Sequence, residues 1–200
     1  MKKSLIVLIS ILALLVIIIG YGISINNKMV NADEAVMSQW AKVENQYQRR
    51  ADLIPNLVNT VKGYASHEKE TLDAVVNARA KATQVTISPD NLNEASLQKY
   101  QAAQGELSQA LGRLLMVTEN YPDLKANQNF LQLQEEIADV ENKLAAVRRY
   151  FNSATKEYNN AVQTFPSNIV AGMTGFQREI MFDLGKNERA NLDQAPKISF

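Results

Sequence analysis

One run of residues constrains this chain more than any other. After Met1-Lys2-Lys3-Ser4 an apolar stretch extends from Leu5 to Ile25, and no charge falls between Lys3 and Lys28. About 20 helical residues rising about 1.5 Å each cover the roughly 30 Å hydrocarbon core of a bilayer. The run predicts a transmembrane helix over residues 5–25 that anchors the chain in the lipid bilayer. A cleaved secretory signal has a shorter apolar region, of roughly 7–15 residues, and a small-x-small cleavage site. Ile25-Asn26-Asn27-Lys28-Met29 offers no such site, so an uncleaved signal anchor is expected. The chain has no cysteine, which excludes lipid attachment at a processed cysteine. Lys2 and Lys3 precede the span, and Lys28 alone closely follows it. By the positive-inside rule the N-terminus is cytoplasmic and the bulk of the chain lies outside. The expectation is a single-pass protein of the inner or plasma membrane.

The remainder carries no basic block. Three of the 21 basic residues sit at the anchor and all 21 acidic residues lie beyond it, so the rest has a net charge of −3. A nucleic-acid binder normally presents a basic face, so no nucleic-acid partner is expected. Proline and glycine are scarce, and Ala, Gln, Asn, Leu, Glu and Val are common. That composition belongs to long helices. The expected organisation is a stub and anchor over 1–28, one helical domain over 29–185 and a flexible tail over 186–200.

The strongest periodicity runs through Ala126, Phe130, Leu133, Ile137, Val140, Leu144, Val147, Phe151, Ala154, Tyr158, Ala161 and Phe165, with spacings alternating between four and three. This is a heptad seam, typical of a long helix packed at a shallow angle, as in a coiled coil. A second seam reads Leu97, Tyr100, Gln104, Leu107, Leu111, Leu114 and Thr118, with Gln104 its polar lapse; Ser88-Pro89 looks like its start. A third runs through Val36, Trp40, Val43, Tyr47, Ile54, Leu57, Val58, Val61 and Ala65. Its start is expected at Asn31, with Glu34 completing a capping box. Pro55 interrupts it, deleting a hydrogen bond and kinking the helix. Gly63 and Ser66 suggest a break, with Ser66 capping a separate helix over about His67–Thr83. The expected fold is all-α: the transmembrane helix, then an antiparallel up-and-down bundle of four long helices. Three helices, one very long, are the alternative. Phe176, Met181 and Phe182 are apolar enough to fold back on the bundle.

The stretch Trp40-Ala41-Lys42-Val43-Glu44-Asn45-Gln46-Tyr47-Gln48-Arg49-Arg50-Ala51-Asp52-Leu53-Ile54-Pro55-Asn56-Leu57-Val58 resembles the hallmark of the LemA family. So do Tyr64-Ala65-Ser66-His67-Glu68, Glu119-Asn120-Tyr121-Pro122-Asp123-Leu124-Lys125-Ala126-Asn127, Arg148-Arg149-Tyr150-Phe151-Asn152 and Phe165-Pro166-Ser167-Asn168. Phe151 is a mild departure, because the family often has Tyr-Asn here. The resemblance implies a bacterial single-pass membrane protein with a helical domain and no established enzymatic activity.

Three groups are candidate partner or ligand surfaces. Arg49, Arg50 and Asp52 precede Pro55 and Asn56, where the kink frees a backbone carbonyl; Asp52 is also within helical reach of Arg49. The plainer reading is a bent helix with solvated or paired charges. Glu119, Asn120, Tyr121, Asp123 and Lys125 form a turn that either binds a partner or simply reverses the chain. Arg148 and Arg149 can grip a carboxylate or phosphate, or pair with Glu141 or another acid of the bundle. His67 is the only histidine, and a metal site needs further His or Cys ligands. No nucleophile elbow, phosphate loop or dinucleotide fingerprint occurs. No catalytic residue, metal or cofactor is therefore expected. The leading expectation is a non-enzymatic module that binds or scaffolds envelope proteins, with self-association open. A ligand-binding sensor acting through the anchor is the alternative.

Overall fold

The computed structural model describes residues 2–88 and 91–182. The expected domain end at 185 and tail over 186–200 lie outside them. Among the described residues six helices follow in order: α1 (Lys2–Tyr64), α2 (Lys69–Gln84), α3 (Glu94–Thr118), α4 (Pro122–Lys125), α5 (Gln128–Gln163) and α6 (Ser167–Thr174).

The apolar run and the first domain helix are one element. The 63 residues of α1 extend about 95 Å at about 1.5 Å each. Its N-terminal part is long and apolar enough to cross a membrane, and its side chains are exposed from Leu5 through Ile19. The helix start expected at Asn31 does not occur. No proline lies before Pro55, so intrahelical bonds run through Asn31 and no cap is needed there. Packing supports the continuity: Met29 is buried with Val36 and Trp40.

Beyond residue 28, burial chooses the faces that the seams describe. All seven positions of the α3 seam are buried. So are all nine of the α1 seam. Pairings fix directions. Arg50 meets Glu141, Tyr47 meets Arg148 and Tyr64 meets Asn127, so α5 runs antiparallel to α1. Arg79 meets Ala51, so α2 returns along α1 after the break at Ala65–Glu68. Gln104 meets Ala82 and Tyr121 meets Glu68, so α3 reverses again.

Several boundaries differ from those expected. Ser66 is not a cap; α2 begins at Lys69, with Glu68 at the N-cap and no side-chain bond. The start of α3 is five residues beyond Pro89, which lies outside the described residues. Asn93 caps it, and Asn93 and Ser96 each bond the other's backbone N–H at 3.0 Å. The turn after α3 contains the one-turn helix α4, with Pro122 at its first position. Ala126 and Phe165 fall outside α5, and both are exposed. Past Phe151 the buried stripe of α5 includes Thr155, Asn159 and Val162. A straight helix drifts about 20° per heptad, which carries the contact face off a strict seam.

Candidate functional site

Arg50 occupies the seam slot between Tyr47 and Ile54, and it is completely buried. Its Nη1 donates to Ser108 Oγ at 2.9 Å and to Glu141 Oε1 at 2.7 Å. Its Nη2 donates to the Gln104 carbonyl at 3.2 Å and to Gln104 Oε1 at 2.5 Å. The polar lapse in α3 and the charge in α1 thus meet, and Glu141 of α5 closes the network. Buried charge is tolerable only with such partners. Arg50 is therefore an interior pin joining α1, α3 and α5. Of the alternatives open for Arg148 and Arg149, pairing with Glu141 does not form; Arg50 takes that carboxylate.

Pro55 lacks the N–H that would bond the carbonyl of Ala51, four residues back. That freed carbonyl is not open to a ligand: Arg79 Nε of α2 donates to it at 2.7 Å. The remaining residues of this group face outward. Arg49, Asp52 and Asn56 are exposed, and Asp52 accepts from Gln48 at 2.8 Å instead of pairing with Arg49.

An aromatic belt lies between the Arg50 network and the anchor. Trp40 packs on Tyr100, Phe151 and Phe182 with ring centroids 5.6, 5.6 and 5.8 Å away. Tyr47 meets Tyr100 edge-on at 5.2 Å. The guanidinium groups of Arg50 and Arg148 lie over the Tyr47 ring, 5.1 and 5.3 Å from its centroid, and Arg148 also donates to the Tyr47 hydroxyl. Burial, then the neighbouring Tyr47 and Glu44, push the Tyr100 hydroxyl well above its usual range. Arg149 is exposed and takes no part.

Phe182 reaches this belt on an extended strap. Gly175 ends α6 in the left-handed region, at φ 84°, which glycine adopts without strain. The chain after it runs outward along α1 and α5. Two asparagines of α5 hold it by its backbone. Asn159 donates to the Glu179 carbonyl and accepts from the Glu179 N–H, both at 2.8 Å. Asn152 does the same at Phe182, at 3.0 and 2.8 Å. Seven helical residues rise about 10.5 Å, and three extended residues span about 10 Å. That match lets one heptad of helix read one triplet of strap. Phe176 and Phe182 fold back as expected, whereas Met181 remains 40% exposed. The Glu179 carboxyl is raised by burial and by Asp33; Asp33 is itself raised by burial and by Glu34. Tyr158 beneath them is pushed up to about 12 by burial and then by these two acids.

The Glu119–Lys125 group stands at the far tip of the molecule. Tyr121 donates to Glu68 at 2.9 Å, Asn127 donates to the Tyr64 hydroxyl at 2.8 Å, and Lys125 pairs with Glu119 at 2.5 Å. Glu119, Asn120 and Asp123 are exposed there. The tip is thus a brace between two turns, well separated from the belt. Arg79, Asn152 and Asn159 are the residues that sequence reasoning missed. Among the described residues no three carboxylate or histidine side chains converge. A cavity of about 150 Å³ opens beside the Arg50 network, lined by Glu44, Tyr47, Gln48, Thr83, Tyr100 and Gln104 among others.

The sequence model of the LemA family matches residues 39–200. Protein LemA of Metamycoplasma hominis is 24% identical over 167 residues, covering 84% of this chain and 73% of that protein. Magnetosome protein MamQ of Magnetospirillum gryphiswaldense is 24% identical over 169 residues, 76% of this chain and 62% of its own length. Magnetosome protein MamQ 2 of Paramagnetospirillum magneticum is 24% identical over 173 residues, 78% of this chain and 64% of its own. The matched region spans just under two thirds of these two magnetosome proteins.

Proposed function

Because this chain belongs to the LemA family, we propose that it is a non-enzymatic, single-pass membrane protein whose helices bind or scaffold partner proteins of the cell envelope. The apolar end of α1 is its uncleaved anchor, with the N-terminus cytoplasmic and the domain outside. α1, α2, α3 and α5 form an antiparallel up-and-down bundle standing on that anchor.

One observation supports this reading above the others. The α1–α5 face holds an extended polypeptide through asparagine side chains that read only backbone, with an aromatic belt beside them. A surface of that chemistry suits recognition of extended segments. The Nη atoms of Arg50, by contrast, are committed to Gln104, Ser108 and Glu141, while its Nε is buried without a partner. The sensor alternative draws support from the cavity beside Tyr47. Its volume of about 150 Å³ falls below the roughly 300–1,000 Å³ of ordinary small-molecule sites, although a cleft of about 430 Å³ lined by Lys28, Asn31, Glu157 and Asn160 among others falls within that range; the scaffold reading is preferred on the asparagine clamps.

The test combines topology with capture. Protease is added to cells whose outer barriers have been opened, and a photoreactive residue replaces exposed Lys156, which lies between Asn152 and Asn159 on α5. The reading expects digestion of the domain and a discrete, reproducible adduct with an envelope protein. A protected domain contradicts the orientation, and adducts with lipid alone contradict partner binding.

A further inference from the structure

We infer that the turn Phe165–Pro166 and helix α6 form a second membrane contact, in which Phe165, Ile169 and Met173 enter the headgroup boundary of the same bilayer that α1 crosses. This inference rests on the membrane reading of α1.

Three observations carry it. The first is exposure. Phe165 is 81%, Ile169 55% and Met173 83% exposed, although the opposite side of α6 is packed through buried Ala171. Ile169 and Met173 are four residues apart on α6, which puts them on one stripe, and Phe165 stands in the turn just before that helix. Large apolar side chains left together in water mark an interaction surface.

The second is height. The Phe165–Ser167 turn shares a cleft with Tyr21, Ser24, Ile25, Lys28 and Met29. Tyr21, Ser24 and Ile25 are the end of the apolar run, and Lys28 and Met29 follow it directly. α1 is continuous from the run to the domain, so the level of this turn, from which α6 starts, is fixed along it. Ile25 and Met29 are only about 6 Å apart along the helix axis. Side chains at that level meet the boundary where acyl chains give way to headgroups, and interfacial apolar faces enter it by about 5–10 Å.

The third is charge. From Tyr158 to Gln177 the chain has no acidic, basic or histidine residue, whereas Glu157 and Arg178 stand immediately outside. That stretch includes the end of α5, the turn and all of α6. An uncharged segment with an outward apolar stripe, level with a transmembrane helix end, fits a lipid surface. A protein partner here would be an additional occupant that no feature of the segment requires.

The contact would hold α1 and the domain in one attitude to the bilayer, because two points on different elements resist rotation about the anchor. The test uses the full chain in vesicles of phosphatidylethanolamine and phosphatidylglycerol. The chain has no cysteine, so single cysteines at Phe165, Ile169 and Met173 take a polarity-sensitive fluorophore cleanly. Tyr150→Cys, exposed near mid-domain, and Ile17→Cys, inside the span, are the dry-land and in-membrane references. Buried Trp40 emission confirms that each variant is folded. Labels at 165, 169 and 173 should be blue-shifted and quenched by lipids with a nitroxide near the headgroup, at least about twofold more than at 150. Labels as wet and unquenched as that at 150 overturn the inference, while quenching at Ile17 by lipids with a nitroxide deep in the acyl chain keeps the anchor. A blue-shifted label that lipid nitroxides do not quench means protein covers the patch, which also overturns it. Absence of quenching at Ile17 by lipids with a nitroxide deep in the acyl chain removes the membrane reading and this inference together.

Discussion

Replacing Arg50 by alanine is the most informative perturbation of the core. The side chain is fully buried, so truncation leaves a cavity that neighbours fill only in part. Large-to-small changes of this kind cost about 2–5 kcal/mol. Gln104, itself 6% exposed, loses the donor to its amide oxygen, and an orphaned buried acceptor adds about 1–3 kcal/mol. Glu141 contributes little, because its side chain is 43% exposed and water replaces the guanidinium there. Ser108 keeps a partner through its own bond to the Gln104 carbonyl. The expected loss is about 3–8 kcal/mol, against a total of about 5–15 for a typical domain. Glu141→Gln should cost far less, and Arg50→Met should fall between, since its stem refills part of the space. Urea titration of the full chain in micelles, followed by helical circular dichroism and by the single Trp40, measures all three. A cost for Arg50→Ala within about 0.5 kcal/mol of zero, the range of ordinary surface changes, would falsify the interior-pin account.

Other expectations follow from the same geometry. Arg79→Met should cost about 1–3 kcal/mol by stranding the Ala51 carbonyl, and much less beside Pro55→Ala, which supplies an N–H to that carbonyl; equal costs in both backgrounds would sever the link between Pro55 and Arg79. Leu144→Asp should unfold the domain, because Leu144 is 1% exposed and an unpaired buried charge adds several kcal/mol to the lost burial. Asn142→Asp, on the exposed face, should melt like the parent. Strap docking should weaken as pH rises. Glu179 and Asp33 have raised pKa values, so the docked state binds more protons than the free one. Its advantage is full below the ordinary carboxylate range and is lost as pH climbs through the raised values. Protection of the Glu179 and Phe182 amides against hydrogen exchange, corrected for intrinsic rates, should fall from pH 4 to pH 7. Glu179→Gln should flatten that trend, and an unchanged slope would mean that other groups set it.

Periodicity reveals most of the fold because burial acts on one face of each helix. The α3 seam, polar lapse included, is buried in full. Arg50 is less legible, since a charge in a seam slot looks like a solvated residue until its partner is known. The available signal was a pair of lapses, Arg50 in one seam and Gln104 in another, which can satisfy each other only inside. Asn152 and Asn159 also left a trace: Phe151-Asn152 and Tyr158-Asn159 repeat one heptad apart, pairing a core aromatic with a neighbouring amide. Which chain those amides hold depends on the path after Gly175, and no local pattern encodes that path. The bond from Arg79 to Ala51 depends on how α2 lies along α1, a tertiary fact. The helix starts at Asn31 and Ser88 were misplaced because capping residues only permit a start. At Asn31 packing on both sides keeps the helix intact, and at α3 the stronger reciprocal cap of Asn93 and Ser96 lies further on.

The central claim is that the α1–α5 face serves by holding extended polypeptide. Photocapture from Lys156 in intact membranes tests it most directly when three chains are compared: the parent, Asn152→Ala/Asn159→Ala, and Phe182→Ser. The account expects a discrete envelope-protein adduct in the parent. That adduct should be lost when the asparagines are removed and strengthened when the strap's own aromatic grip is weakened. An adduct of the same identity and yield in all three folded chains would contradict it, because neither the clamps nor the strap would then govern what this surface binds.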